Sequence, residues 1–222
     1  MENYFVNIKF SVLISIYHKE KPEHFNNCME SVWDKQTLNP TEIILIEDGP
    51  LTVELNQVIE YWKTKLGNVL HVKKLEKNIG TGKAKNIGLH ECTYDIVCIV
   101  DTDDICVPER FKKQIDFLKE NPDISIVGGQ ILEFVEDIQN PTGMRKVPLS
   151  HENLKNYAKR QSPFNNMTIT YRKKHILEVG GYQHHLWMED YNLFLRVIAQ
   201  GYKIANLPEV VVYARIDNGM HA

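Results

Sequence analysis

Three aspartates stand together directly after a run of apolar residues. Ile96 to Val100 is followed by Asp101, Thr102, Asp103 and Asp104. A five-residue run with no polar break suits a parallel strand buried on both faces. Carboxylates crowded at its end call for a positive partner, and hard oxygen ligands suit Mg²⁺ or Mn²⁺. Open α/β sheets bind ligands beyond the carboxyl ends of their strands. In extended chain Asp101 and Asp103 point the same way, with Thr102 facing away, so both can converge on one metal or its ligand. The competing role is structural: Asp103 or Asp104 can cap the helix expected from Pro108.

Two more strand ends carry polar groups. One is Ser15-Ile16-Tyr17 and the other Glu47-Asp48-Gly49-Pro50. In a parallel sheet these ends share one edge with the aspartates. An acidic edge binds a diphosphate only with a cation to supply countercharge. A carboxylate away from the metal, such as Asp48, can accept from a base imino group or a ribose hydroxyl. Tyr17 can stack on a base. Asp-Gly-Pro is equally at home in a plain turn.

The segment Asn78–Asn86 is Gly-rich and basic and leads into a helix, whose N-terminus attracts phosphate. It matches neither the Walker A loop, since Ala84 follows Gly82-Lys83, nor GxGxxG, since Lys85 holds the third glycine's place. Further on, a helix over Glu189–Ala199 puts Asp190, Leu193, Phe194 and Val197 on one face. Asp190 then tops an apolar stripe, and a partly desolvated carboxylate there suits a general base. Helix-dipole stabilisation in the first turn is the alternative, and it applies equally to Glu189. Trp187 can line a sugar, because an aromatic face matches the apolar face of a pyranose. The histidines show no ligand spacing. His184 and His185 fall near the proposed cleft, His221 near the end of the chain, and most of the others read as surface residues.

The elements needed to hold these groups alternate through the first half. Strands are expected at Phe10–Ile16, Glu42–Ile46, Val69–Leu75 and Ile96–Val100. Helices are expected at Pro22–Asp34, Val53–Leu66, Thr81–His90 and from Pro108. Such alternation predicts right-handed βαβ units and a parallel sheet. The second half is less regular. It reads as a strand over Ile124–Phe134, a polar loop over Ile138–Pro148, and a helix over His151–Lys159. A strand over Met167–Tyr171 and a break at Gly180-Gly181 follow. The helix over Glu189–Ala199 precedes short strands at Tyr202–Ala205 and Val210–Tyr213. No repeat or linker divides the chain, so a single domain is expected over residues 1–222.

With 222 residues, 43% hydrophobic and 25% charged, the composition is that of a soluble globular protein. A net charge of −3 with no basic run argues against nucleic acid as a partner. The four cysteines lack metal spacing and read as reduced thiols. No apolar run approaches membrane-spanning length and no leader pattern opens the chain, so a cytoplasmic location is expected, with room for peripheral contact at the inner face of a membrane. The ending DNGMHA reads as an interruption rather than a capped terminus.

Six segments in order carry a resemblance: SVLISIY, EIILIEDGP, NIGTGKAKNIGL, DIVCIVDTDDICVPER, EVGGY and MEDYNLFLRV. From about Phe10 to Tyr213 the chain resembles the inverting family-2 glycosyltransferases of the GT-A fold, of the bacterial polysaccharide-biosynthesis type. The resemblance implies a Rossmann-like, mostly parallel sheet with helices on both faces. Residues to about 120 would form a nucleotide-binding half and residues from about 121 a mixed acceptor half. It implies Ser15 and Tyr17 at the base pocket and Asp48 on the base, commonly uracil. Lys85 would lie near the nucleotide, where relatives usually have arginine. Asp101-Thr102-Asp103 matches the DxD motif, with Asp103 the direct metal ligand and Asp101 on the ribose or the metal; Asp104 is ambiguous. Asp190 matches the general base of the ED motif, with Glu189 and Trp187 toward the acceptor. The first motif departs from the pattern, with His18 where asparagine is usual. The implied partners are a nucleotide-sugar donor, a divalent metal (Mn²⁺ or Mg²⁺) and a saccharide or lipid-linked acceptor.

Three other readings compete. A sugar nucleotidyltransferase would open with a Gly-rich loop after the first strand, but SIYHKEKPEH has no glycine. A DxD phosphohydrolase would carry threonine where Ile105 stands. A nucleotide-sugar-binding scaffold of the same fold without turnover is the non-enzyme alternative; intact Asp101, Asp103 and Asp190 speak against it.

Overall fold

A computed structural model describes residues 8–183 and 188–216 of the chain. In chain order the first half contains β1 (Phe10–Ile16), α1 (Pro22–Val32), β2 (Glu42–Glu47), α2 (Val53–Leu66), β3 (Leu70–Lys74), α3 (Thr81–Glu91), β4 (Ile96–Val100), β5 (Ile105–Cys106) and α4 (Arg110–Glu120). The second half contains β6 (Ile124–Phe134), β7 (Gly143–Arg145), α5 (His151–Tyr157), β8 (Thr170–Arg172), α6 (Lys173–Glu178), α7 (Glu189–Ala199) and β9 (Lys203–Arg215).

β1 to β4 are parallel and lie in the order β3-β2-β1-β4. The apolar runs of β1, β2 and β4 are continuous rather than alternating because both faces of these three strands are covered, whereas β3 at the edge is largely exposed. The odd and even residues of each strand enter different cores. Val12, Ile43 and Cys98 join Phe25, Leu55 and Phe111 from α1, α2 and α4 on one face. Leu13, Ile44 and Val97 join Ala84, Leu154, Ile176 and Leu193 from α3, α5, α6 and α7 on the other. Burying each such side chain contributes about 1.5–3 kcal/mol. All four cysteines are buried free thiols.

Beyond β4 the sheet becomes mixed. β8 runs antiparallel to β4 and to β6, β9 runs parallel to β6, and β5 returns antiparallel on β9. One sheet thus joins the two halves, as expected for the fold class. Among the described residues no helix is long and apolar enough to cross a membrane.

Several boundaries differ from expectation. The two short strands at Tyr202–Ala205 and Val210–Tyr213 are one strand, β9. Asn206 pairs with Gly128 and Val210 with Gln130, so the intervening residues form a bulge that absorbs Pro208. The strand expected at Met167–Tyr171 starts only at Thr170, after a single 3₁₀ turn over Asn166–Thr168. The Thr168 hydroxyl holds that turn, donating to Asn165 O at 2.7 Å and accepting from Gly129 N at 3.1 Å. The loop over Ile138–Pro148 contains β7, whose Arg145 pairs with Glu133 of β6. α4 begins at Arg110, after a turn in which Arg110 N–H donates to Val107 O.

Candidate active site

The carboxyl ends of β1, β2 and β4 open onto one cleft of about 570 Å³. Ser15, Tyr17, Asp48, Lys85, Asp101, Asp103 and Glu189 all line it, so segments far apart in sequence meet where the parallel topology predicts. Tyr17 is 43% exposed at the rim, its ring against His18.

The acidic segment is a turn, not an extension of β4. Asp104 N–H folds back toward Asp101 O at 3.4 Å. The pleat no longer alternates there, and Thr102, expected to face away, is buried and donates its hydroxyl to Glu20. Glu20 also accepts from Lys21 N–H at 2.8 Å and lies 3.7 Å from the His24 ring. The loop after β1 is thereby fastened to the acidic turn. His24 belongs to the cleft wall rather than to the open surface.

Each aspartate has a distinct environment. Asp101 Oδ1 accepts from Lys85 Nζ at 2.9 Å. Burial is the largest influence on the Lys85 ammonium and lowers it, but the charge and hydrogen bond of Asp101, together with Tyr182 and Asp190, outweigh burial and raise the group above its ordinary range. Asp103 is pushed up to about 6, by burial first and then by Asp101 and Glu20. Asp104 is buried and does not line the cleft; its Oδ1 accepts from Arg215 N–H at 2.8 Å. Arg215 in turn donates to Asp103 O and Val135 O and stacks on Phe134. Asp104 ties the acidic turn to the end of β9, so it is an anchor. Its carboxyl is held well above the usual range, by burial first and by its acidic neighbours second.

Behind the turn, Arg110 is almost fully buried and donates to Ile99 O at 2.6 Å. Gln114 continues the network to Thr168 O and to Thr170. These bonds lock α4 against β4 and β8 and fix the base from which the acidic turn projects.

Asp48 serves the scaffold as well as the cleft. Its two oxygens accept from Ile79 N–H at 2.7 Å and Gly80 N–H at 3.1 Å. Gly49 has φ +90°, and a Cβ on it would lie 2.6 Å from Asn78 N. The Asp-Gly turn and the loop before α3 are therefore one unit. The carboxylate keeps spare lone pairs for a ligand.

Gly82 has a packing role. A Cβ there would come within 2.9 Å of Glu189 Cβ. The missing side chain lets the first turn of α7 seat against α3, with Glu189 in the cleft wall and Asp190 next to it. Burial pushes the Asp190 carboxyl up from the usual range. The Tyr191 N–H, at 2.7 Å from Asp190 Oδ1, and the Lys85 charge both act against the rise. The Lys85 ammonium thus influences the carboxylates on both sides of the cleft.

Asn166 was not among the expected site residues, since Asn166-Met167-Thr168 signals only a glycosylation sequon. It lines the cleft, and its Oδ1 is shielded from solvent with no hydrogen-bond donor among the described residues. Glu20 was equally silent, because Thr102, which donates to it, lies 82 residues away in sequence, and His24 reaches the site beside Glu20. Trp187, His184, His185 and His221 lie outside the described residues.

Asp101 and Asp103 supply the hard oxygen donors that Mg²⁺ or Mn²⁺ takes. Among the described residues no three acidic, His or Cys side chains are grouped to enclose a metal. The arrangement fits a cation held by one or two carboxylates and completed by a bound diphosphate, as is usual for Mg²⁺.

The model of Glycosyl transferase family 2 matches residues 11–181. The chain is 44% identical over 211 residues to the amylovoran biosynthesis glycosyltransferase AmsE of Erwinia amylovora, covering 95% of this chain and 77% of that protein. It is 38% identical over 211 residues to the Escherichia coli UDP-Gal:alpha-D-GlcNAc-diphosphoundecaprenol beta-1,3-galactosyltransferase, covering 94% and 74%. The crystal structure of Staphylococcus aureus TarS 1–349 in complex with UDP-GlcNAc superposes with a TM-score of 0.73 at 25% identity. That match covers 96% of this chain and 60% of the TarS chain, so the chain spans about three fifths of that solved structure.

Proposed function

The chain belongs to glycosyl transferase family 2, and from that premise we propose that it moves a sugar from a nucleoside-diphosphate donor, UDP-linked, to a hydroxyl of a saccharide or lipid-linked acceptor, with inversion, in the building of a surface polysaccharide. The observation that carries this reading is the meeting of Asp101, Asp103, Lys85 and Glu189 in one cleft, with Asp190 next to Glu189 and within reach of the buried Lys85 charge. The relatives add support, since two are glycosyltransferases of polysaccharide or lipid-linked sugar synthesis and the solved neighbour holds UDP-GlcNAc. In this reading the whole chain acts as one domain, with the donor toward β1–β4 and the acceptor toward α7. It works in the cytoplasm or at the inner face of the membrane.

Asp48 and the loop it holds receive the base, and Tyr17 stacks on it from the rim. Ser15 lines the same pocket. Asp103, with Asp101 beside it, would hold a divalent cation, which when bound supplies positive charge against the leaving diphosphate. Lys85 fixes Asp101 and adds a buried positive charge. Asp190 takes the proton from the acceptor hydroxyl, and its raised basicity suits that task near neutral pH. The hydroxyl attacks the anomeric carbon opposite the nucleotide, so one displacement inverts the configuration.

Calorimetric titration with UDP, GDP and their common sugar conjugates, with and without Mn²⁺, tests the reading. Metal-dependent binding of a UDP conjugate is the expected result. Equal binding with and without the cation would remove the metal from the scheme, and a preference for GDP would remove uracil.

A further inference from the structure

Glu20 stands in the cleft wall beside the acidic turn. β1 and β4 are neighbouring parallel strands, so the loop after β1 lies next to the turn after β4. Glu20 closes a tight turn in that loop, its N–H donating to Tyr17 O at 3.1 Å, and α1 starts two residues later at Pro22. Its backbone is therefore fixed from both sides. One carboxylate oxygen accepts from Lys21 N–H at 2.8 Å and the other from the Thr102 hydroxyl. Thr102 lies between Asp101 and Asp103 in the chain, so Glu20 adds a further negative charge to the turn.

That charge is poorly balanced. The Glu20 side chain is 9% exposed. Among the described residues no lysine or arginine pairs with it, and its one basic partner is the His24 ring at 3.7 Å. Burial first, and then the Arg215 charge, lower the His24 imidazole from its ordinary value, so near pH 7 the ring is largely neutral. Lys85 is committed to Asp101, and the Arg215 guanidinium to the main-chain oxygens of Asp103 and Val135. Buried charges in proteins are paired or serve a metal.

We infer that Glu20 belongs to the outer sphere of the divalent-cation site, where it accepts hydrogen bonds from cation-bound water and adds its charge to that of Asp101 and Asp103. The assignment rests on the metal-dependent transferase reading and gives it a positioning residue. Each Glu20 oxygen has one protein donor and keeps a lone pair. A cation such as Mg²⁺, held by one or two carboxylates, keeps several waters that need such acceptors. An outer-sphere place also agrees with the absence, among the described residues, of three acidic, His or Cys side chains grouped around one metal position.

The test reads Mn²⁺ affinity rather than turnover. Mn²⁺ is titrated into the whole chain with saturating UDP, and the free ion is counted by electron paramagnetic resonance. Glu20→Gln keeps the size of the side chain and an oxygen for Thr102, and removes the charge. Its Mn²⁺ dissociation constant should rise about ten-fold or more, as for loss of an outer-sphere partner. Its UDP affinity in EDTA should hold or improve, and its metal-free thermal midpoint should hold or rise, because a like charge has left the turn. Thr102→Val keeps the charge and cuts the tether, so it should weaken Mn²⁺ by a smaller factor. A purely structural Glu20 gives the reverse pattern: weaker UDP binding in EDTA and a lower midpoint, with Mn²⁺ affinity unchanged. That pattern, or wild-type Mn²⁺ affinity in either folded variant, overturns the assignment and leaves the transferase reading standing. UDP binding by wild type that ignores Mn²⁺ overturns the metal reading, and Glu20 falls with it.

Discussion

Lys85 Nζ donates to Asp101 Oδ1 at 2.9 Å, with the ammonium 2% exposed and the carboxylate 30% exposed. The pair is asymmetric: the cation is sealed in the protein and the anion faces the cleft. Removing either partner should therefore cost different amounts. Asp101→Asn strands a buried cation and should cost about 3–5 kcal/mol. Lys85→Met leaves a carboxylate that water still reaches and should cost less, about 1–3 kcal/mol. Urea unfolding midpoints of the two variants measure this, and the opposite ranking would refute the asymmetry.

Asp190→Asn should lower transfer by about 10²–10⁴-fold and leave UDP binding in place. The base works deprotonated, and burial raises its pKa from the ordinary carboxylate value. The acid limb of the kcat profile should then lie above the range of a solvent-exposed aspartate and disappear in the variant. For stability the sign is reversed. A raised folded pKa makes the contribution of Asp190 most favourable below its unfolded pKa, and it is lost as pH rises through the folded value. An unchanged pH–rate profile in the variant removes Asp190 as the base.

Gly82→Ala should displace the first turn of α7. The new Cβ meets Glu189 Cβ at 2.9 Å, and overpacking of this kind costs about 1–3 kcal/mol. Because the strain falls on the turn carrying Asp190, kcat should fall more than the thermal midpoint does. Full activity would show that α7 yields without moving the base.

Asn166→Ala should raise the donor KM about ten-fold while leaving affinity for UDP unchanged, if the shielded Oδ1 accepts a hydroxyl of the donor sugar. Free of ligand, the variant should be as stable as wild type, since it removes a buried acceptor that has no donor among the described residues. An equal loss of UDP and UDP-sugar affinity would move Asn166 to the nucleotide.

Much of the first half was legible because its signals are local. A strand buried on both faces needs a continuous apolar run, and β4 is one throughout, while β1 and β2 carry such runs over Val12–Ile14 and Ile43–Ile46. A parallel sheet must bring its strand ends to one edge, so Ser15, Asp48 and Asp101 could be placed together from spacing alone. The second half was harder to read. Pro208 signals a break, yet β9 carries it in a bulge because β6 supplies a partner on either side.

The order of strands and helices, the acidic strand end and the amphipathic helix bearing Asp190 follow from sequence by itself, because periodicity records which faces are buried. The tertiary structure alone decided what each polar group does. Thr102 meets Glu20, Asp104 meets Arg215, Glu189 seats over Gly82, and Tyr191 joins α5. Each of these contacts spans from about thirty to more than a hundred residues. No local pattern encodes such a pairing, since it exists only once the sheet has brought its distant segments to one edge.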